Sequence, residues 1–241
     1  MFRTPIPNAE QSWLENFGTD QLLSLFASCR NTGSRAVDYS RLSDAWGMLF
    51  SNLYLSAEEL VDEMQRGEHR LDTENEGMLR EFIRADCRSG GLFVLNVIKK
   101  GGKTDRAALI MIADLNNLAG IEYNGTTAIH LLADSCDKGV RPALIRKAGM
   151  RLLSSVYDSR GIPVIFTIYS LGDISVSDLE ALARVFSEDD LKKTMCKNRT
   201  GKNALTVFSE IALSLKSHAS LDRHMFFKPS AMKDSDIDTK S

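Results

Sequence analysis

The first chemistry the sequence offers is a phosphate cradle. Gly101-Gly102-Lys103-Thr104 matches the end of the Gly-x-x-x-x-Gly-Lys-[Ser/Thr] loop, whose backbone amides wrap the phosphates of a nucleotide. The first glycine of that loop falls on Val97, an apolar position with no strand pattern before it, so the segment reads as a glycine turn carrying a solvated lysine. Metal chemistry fares no better. His69, His130, His218 and His224 contain no i,i+4 pair, and Cys29, Cys87, Cys136 and Cys196 contain no CxxC, so a zinc-ligand spacing is missing. Cys87 stands beside Arg88 and close to Gly90 and Gly91, yet nothing nearby supplies a base, and an inert buried thiol is expected. The acid pairs Glu58-Glu59, Glu74/Glu76 and Asp189-Asp190 sit at expected helix starts, where the macrodipole favours negative charge; Asp173, Asp178 and Glu180 are read the same way. Lys99, Lys100, Lys103 and Arg106 form one dense basic stretch without the interleaved aromatics that stack single-stranded bases, which predicts a solvated edge. No catalytic residue, cofactor or metal is expected.

Composition bounds the partners. The 241 residues carry 30 Lys+Arg against 32 Asp+Glu, a formal net charge of −2, with 43% hydrophobic residues. That balance provides for a substantial core and gives no general attraction to nucleic acid or anionic lipid. No run of 18 apolar residues occurs, and Met1 to Asn8 lacks the apolar stretch of a secretory signal. A cytoplasmic protein with reduced thiols is expected, with neither nucleic acid nor membrane as partner.

The elements that would position any site are helices. Ser56-Ala57-Glu58-Glu59 and Thr73-Glu74-Asn75-Glu76 both fit the capping box, and Met78, Leu79, Phe82 and Ile83 make one apolar stripe after the second, on a helix ending near Cys87. Leu22, Leu23, Leu25 and Phe26 form an earlier stripe starting at Thr19 or Asp20. Trp46, Leu49, Phe50, Leu53 and Tyr54 form another, after Ser43. Nothing in residues 1–87 alternates with period two over a useful length, which predicts an all-helical amino-terminal region.

From residue 88 the chain repeats. Gly90, Gly125, Gly161 and Gly201 are separated by 35, 36 and 40 residues. Positions three, four and seven after each glycine are apolar: Phe93, Val94 and Val97; Ala128, Ile129 and Leu132; Val164, Ile165 and Ile168; Ala204, Leu205 and Phe208. Spacing 3, 4 and 7 is one face of a helix, so each glycine is expected to turn the chain into a short helix buried on the same side. A second helix is expected in each unit: around Arg106 to Leu118, around Pro142 to Val156, and from a capping box at Ser177-Asp178-Leu179-Glu180 to Phe186. The longer spacing before Gly201 predicts an inserted turn near Ser187-Glu188-Asp189-Asp190.

Gly125-Thr126-Thr127-Ala128-Ile129-His130-Leu131-Leu132-Ala133 resembles the ankyrin-repeat signature Gly-x-Thr-Pro-Leu-His-x-Ala-Ala at Gly125, Thr127, His130 and Ala133. The units at Gly161 and Gly201 keep less of it, and the unit at Gly90 keeps only the glycine and the apolar spacing. The resemblance covers residues 88–217, leaving 1–87 as a cap or diverged repeats and 218–241 as a polar tail around Met225-Phe226-Phe227. It implies an all-α fold: a helical amino-terminal region followed by a short ankyrin-like solenoid. It implies structural roles for Gly90, Gly125, Thr127, His130, Gly161 and Gly201, with His130 hydrogen-bonding neighbouring turns. It implies a non-enzymatic module or regulatory adaptor that recognises another protein with its concave face. Candidate partner-binding residues are Tyr123, Asn124, Arg160, Arg199 and Lys202 on the turns, and Asp134, Ser170 and Glu210 on the exposed sides of the first helices. The alternative is a cytoplasmic ligand sensor or enzyme with its site between residues 1–87 and the repeats, because ligand sites favour such interfaces.

Overall fold

The structure, a computed structural model, describes residues 17–31, 38–68, 70–196 and 201–216. Thirteen helices and one short antiparallel ladder lie among them. The tail from residue 217, with its Met225-Phe226-Phe227 cluster, lies outside the described residues, as do His69, His218, His224 and Arg199.

The amino-terminal region supplies α1 (Thr19–Asn31), α2 (Tyr39–Leu53), α3 (Ala57–Arg66) and α4 (Thr73–Arg88). Ser56 caps α3 as its sequence predicts, accepting from the Glu59 amide at 3.1 Å, while Glu59 reaches back to the Leu55 amide at 2.6 Å. Two expected starts move upstream. The cap of α4 is Asp72, not Thr73; its carboxylate accepts from the Asn75 amide at 2.7 Å. The α2 helix begins after Asp38, not Ser43, because that carboxylate takes the Ser40 and Arg41 amides. In both places a charged acceptor at the positive end of the helix outcompetes a hydroxyl further along, Thr73 one residue on and Ser43 five.

The second half runs through α5 (Leu92–Lys100), α6 (Lys103–Ile112), α7 (Leu115–Ala119), α8 (Ala128–Ser135), α9 (Arg141–Ser155), α10 (Val164–Tyr169), α11 (Val176–Val185), α12 (Glu188–Lys193) and α13 (Ala204–Lys216). Each repeat glycine precedes a first helix, α5, α8, α10 and α13, and each has positive φ, between 76° and 108°. All twelve apolar repeat positions are buried. These first helices pack in succession, α5 on α8, α8 on α10 and α10 on α13, with α6, α9 and α11 beside them.

Several details differ from the sequence expectation. The stretch from Arg106 to Leu118 is two helices, because Asp114 starts α7 by accepting from the Asn116 amide. Gly149, at φ 66° and ψ 172°, breaks α9 internally. The box of α11 is Ser175 with Asp178, not Ser177 with Glu180. The expected inserted turn near Ser187 is the helix α12, capped by Ser187 and Asp190. The fourth unit has no second helix among the described residues. Finally, Asn124-Gly125 makes a hairpin: β1 (Glu122–Tyr123) pairs antiparallel with β2 (Thr126–Thr127). Both turn residues have positive φ, 51° and 76°, the signature of a type I′ turn.

One continuous core joins the two halves. Phe93 of α5 sits in the aromatic cluster of the amino-terminal helices, 4.9 Å from the Phe82 ring, 5.5 Å from Trp46 and 6.1 Å from Phe26. Trp46 also donates its indole N–H to the Asp105 carbonyl at 3.0 Å. The α2 helix packs on α5 and α6, and α3 packs on α6.

Candidate functional site

The turns are tied to one another. The Ser159 amide donates to the Gly125 carbonyl at 2.8 Å, linking the second and third turns. A side chain at Gly125 would place a Cβ 2.4 Å from the Ser159 hydroxyl and would strain a backbone at φ 76°. His130 makes the second tie. Its Nε2 lies 2.9 Å from the Ile162 carbonyl, which only accepts, so Nε2 carries the proton; Nδ1, 2.7 Å from Thr127 Oγ1, then accepts from the hydroxyl. Burial holds the imidazole below its ordinary value, against the favourable Ile162 carbonyl. Asp158 organises the third turn: one carboxylate oxygen accepts from the Arg160 and Ile162 amides at 3.0 and 2.9 Å, and the other from the Arg160 side chain. Burial raises its carboxyl, but these donors outweigh it and the net direction is down.

The candidate binding residues sit on this lattice in different states. Tyr123 is 40% exposed, yet its ring face is covered by Lys99, whose Nζ lies 3.3 Å from the centroid. Asn124 is exposed at the hairpin tip. The Arg160 side chain is 73% exposed with its head held by Asp158. Lys202 and Glu210 form an ion pair with each other, so the structure brings these two together. Ser170 is exposed and donates to the Thr167 carbonyl at the end of α10. Asp134 is exposed in the last turn of α8, the end of a helix where a carboxylate is disfavoured.

The remaining chemical suspects are occupied structurally. At the glycine turn the Gly102 amide donates to the Asp105 carboxylate at 2.7 Å, so the start of α6 is filled by its own chain, and Lys103 faces Asp137 at 3.6 Å. The basic stretch disperses: Lys99 covers Tyr123 and Arg106 donates to the Ile98 carbonyl. Burial pushes the Cys87 and Cys136 thiols up to about 12. Among the described residues no group of His, Cys and acids is arranged to hold a metal, and no helix is long and apolar enough to cross a membrane.

Two features escaped sequence reading. Asp86 is buried and caps α5 across the turn, accepting from the Phe93 and Val94 amides at 3.2 and 3.0 Å; burial raises its carboxyl despite those donors. Arg141, 2% exposed, binds Asp178 at 3.1 Å, Asp173 at 2.8 Å and the Cys136 carbonyl at 2.9 Å. The one available signal was Pro142, which marks a helix start but not the partner of the arginine beside it.

Against this geometry, no protein-family model, no curated protein and no solved structure matches the chain.

Proposed function

We propose that the protein is a non-enzymatic protein-interaction module built from degenerate ankyrin-like units, its partner held by the turn tips and the exposed faces of α8 and α10. The observation that carries this reading is the turn lattice. His130 and the Ser159 amide fix successive turns to one another, so Asn124 and Arg160 project from a preorganised surface, and preorganisation is what limits the entropic cost of association. Asp134 supports it from another direction, since a carboxylate at the carbonyl end of α8 does nothing for the helix. The successive packing of α5, α8, α10 and α13 fits a stacked array in which each unit contacts its neighbours.

The test is affinity capture from native lysate with the full chain and with the D134A/R160A variant. The variant is expected to lose a partner that the native chain retains, while its melting temperature stays nearly unchanged. Arg160 is a surface cation whose ion pair contributes about 1 kcal/mol or less, and Asp158 keeps its two backbone donors. A partner held equally by both baits would move the binding surface elsewhere, and no capture above background would defeat the reading.

A further inference from the structure

A groove runs between α3 and α4 on one side and α6, α9 and α11 on the other. Two adjoining cavities of about 320 and 580 Å³ form it and share Gln65, Arg146 and Arg184. The larger one is in the size range of small-molecule sites. Met64 and Met111 give it an apolar wall, and four cations face it: Arg80, Arg146, Lys147 and Arg184. Two of the four are already engaged. Arg80 is paired with Glu76 at 2.5 Å, which uses the one carboxylate lining this cavity. Lys147 donates to the Ile110 and Met111 carbonyls at 2.5 Å each, closing the end of α6.

Arg146 and Arg184 are different. Among the described residues neither has an ion-pair partner, and Nη2 of Arg146 is shut away from water with no hydrogen-bond acceptor. Burial first, and then the Arg184 charge, hold the Arg146 guanidinium below its ordinary value. A partly desolvated guanidinium thus lies beside the like charge of the exposed Arg184, and in the larger cavity the only lining acid, Glu76, is taken by Arg80. Such an arrangement costs the empty protein free energy that an external anion would recover.

We propose that this groove binds a small organic phosphate, its phosphoryl dianion bridging Arg146 and Arg184 and its apolar body lying against Met64 and Met111. A phosphate monoester presents three oxygens and close to two charges, enough to meet two planar guanidinium forks at once; a carboxylate satisfies one. The larger cavity is the better seat for the anionic head, because in the smaller one Glu58, Asp62 and Glu180 offset the charges of Lys138, Arg146 and Arg184, whereas in the larger one four cations face Glu76 alone. This site lies away from the turn surface and stands or falls independently of the interaction reading.

The experiment is a thermal melt of the full chain titrated with phenyl phosphate, with benzoate and sodium chloride at matched ionic strength beside it. Phenyl phosphate is expected to raise the melting temperature along a saturating curve, as ligand binding to the native state requires, and to exceed the response to benzoate and to salt. R184Q changes an exposed side chain, so the fold should persist by circular dichroism while the apparent affinity falls about tenfold or more, the loss expected for one charge-assisted hydrogen-bonding partner. R146M should do the same, and K192Q on α12, outside the groove, should respond like the native chain. No rise at millimolar phenyl phosphate, an equal rise with benzoate, or an undiminished response in R184Q would each overturn the proposal.

Discussion

His130 is held between a carbonyl that can only accept and a hydroxyl that can donate, so the neutral imidazole satisfies both at once. Its folded pKa is below the ordinary 6.5 because burial penalises the cation. The sign of the linkage follows. Between 6.5 and the lower folded value the unfolded chain binds more protons, so stability falls as pH drops below 6.5 and stops falling, for this group, beneath the folded value. Urea titrations between pH 7 and 5 are expected to show that decline in the native chain and a shallower one in H130A. The variant should itself be less stable at pH 7 by about 1–3 kcal/mol, the usual cost of stranding buried partners; equal slopes in the two proteins would contradict the assignment. The thiols give a second residue-scale outcome. With pKa values near 12, Cys87 and Cys136 carry almost no thiolate at neutral pH, so alkylation at pH 7.5 followed by peptide mass spectrometry should find both unmodified until denaturant is added.

At the scale of elements, the buried Arg141–Asp178 pair joins α9 to α11, the second helices of adjacent units. Asp178 is fully buried and also receives the Ser175 amide and hydroxyl at 2.8 Å each, so one carboxylate both caps α11 and neutralises the arginine. R141M alone is expected to cost about 3–5 kcal/mol, because it leaves a buried carboxylate with fewer partners. D178N alone should be similarly severe, and the double variant should cost less than the sum; strict additivity in chemical denaturation would show that the two do not act as a pair. This latch also shows what the sequence could and could not disclose. The periodicity of apolar side chains was legible because helix geometry is local: the 3, 4, 7 spacing after each glycine located four first helices whose marked positions are all buried. The His130 tie was legible only through resemblance. Arg141 and Asp178 are 37 residues apart, and nothing in either neighbourhood announces the other. Asp86 and Asp38 were missed for a subtler reason: a carboxylate on the preceding segment competes with the nearest hydroxyl for a helix's free amides, and the winner depends on where the chain enters. The groove at Arg146 and Arg184 was likewise invisible, since its walls come from five helices.

For the whole molecule the decisive feature is Phe93, the first apolar position of the first glycine unit, enclosed by Phe26, Trp46 and Phe82 from the amino-terminal helices. In the stacked array proposed above, each unit is stabilised by its interfaces with its neighbours, so a unit deprived of one flank loses much of its stability. Here the flank of the first glycine unit is the aromatic cluster of α1, α2 and α4, reinforced by the Trp46 indole on the Asp105 carbonyl. The helices α1 to α4 and the glycine units should therefore unfold together. The chain has two tryptophans, Trp13 and Trp46, so a W13F variant isolates the fluorescence of the shared core. Its fluorescence transition in urea is expected to coincide with the loss of helical circular dichroism, since coincident probes are the mark of one cooperative unit. F93A adds the causal step: emptying a site buried on all sides costs about 3–5 kcal/mol, and both probes should move to lower urea by the same amount. Were the amino-terminal helices a separate body, Trp46 would report a different midpoint from the dichroism, and F93A would shift only one of the two curves.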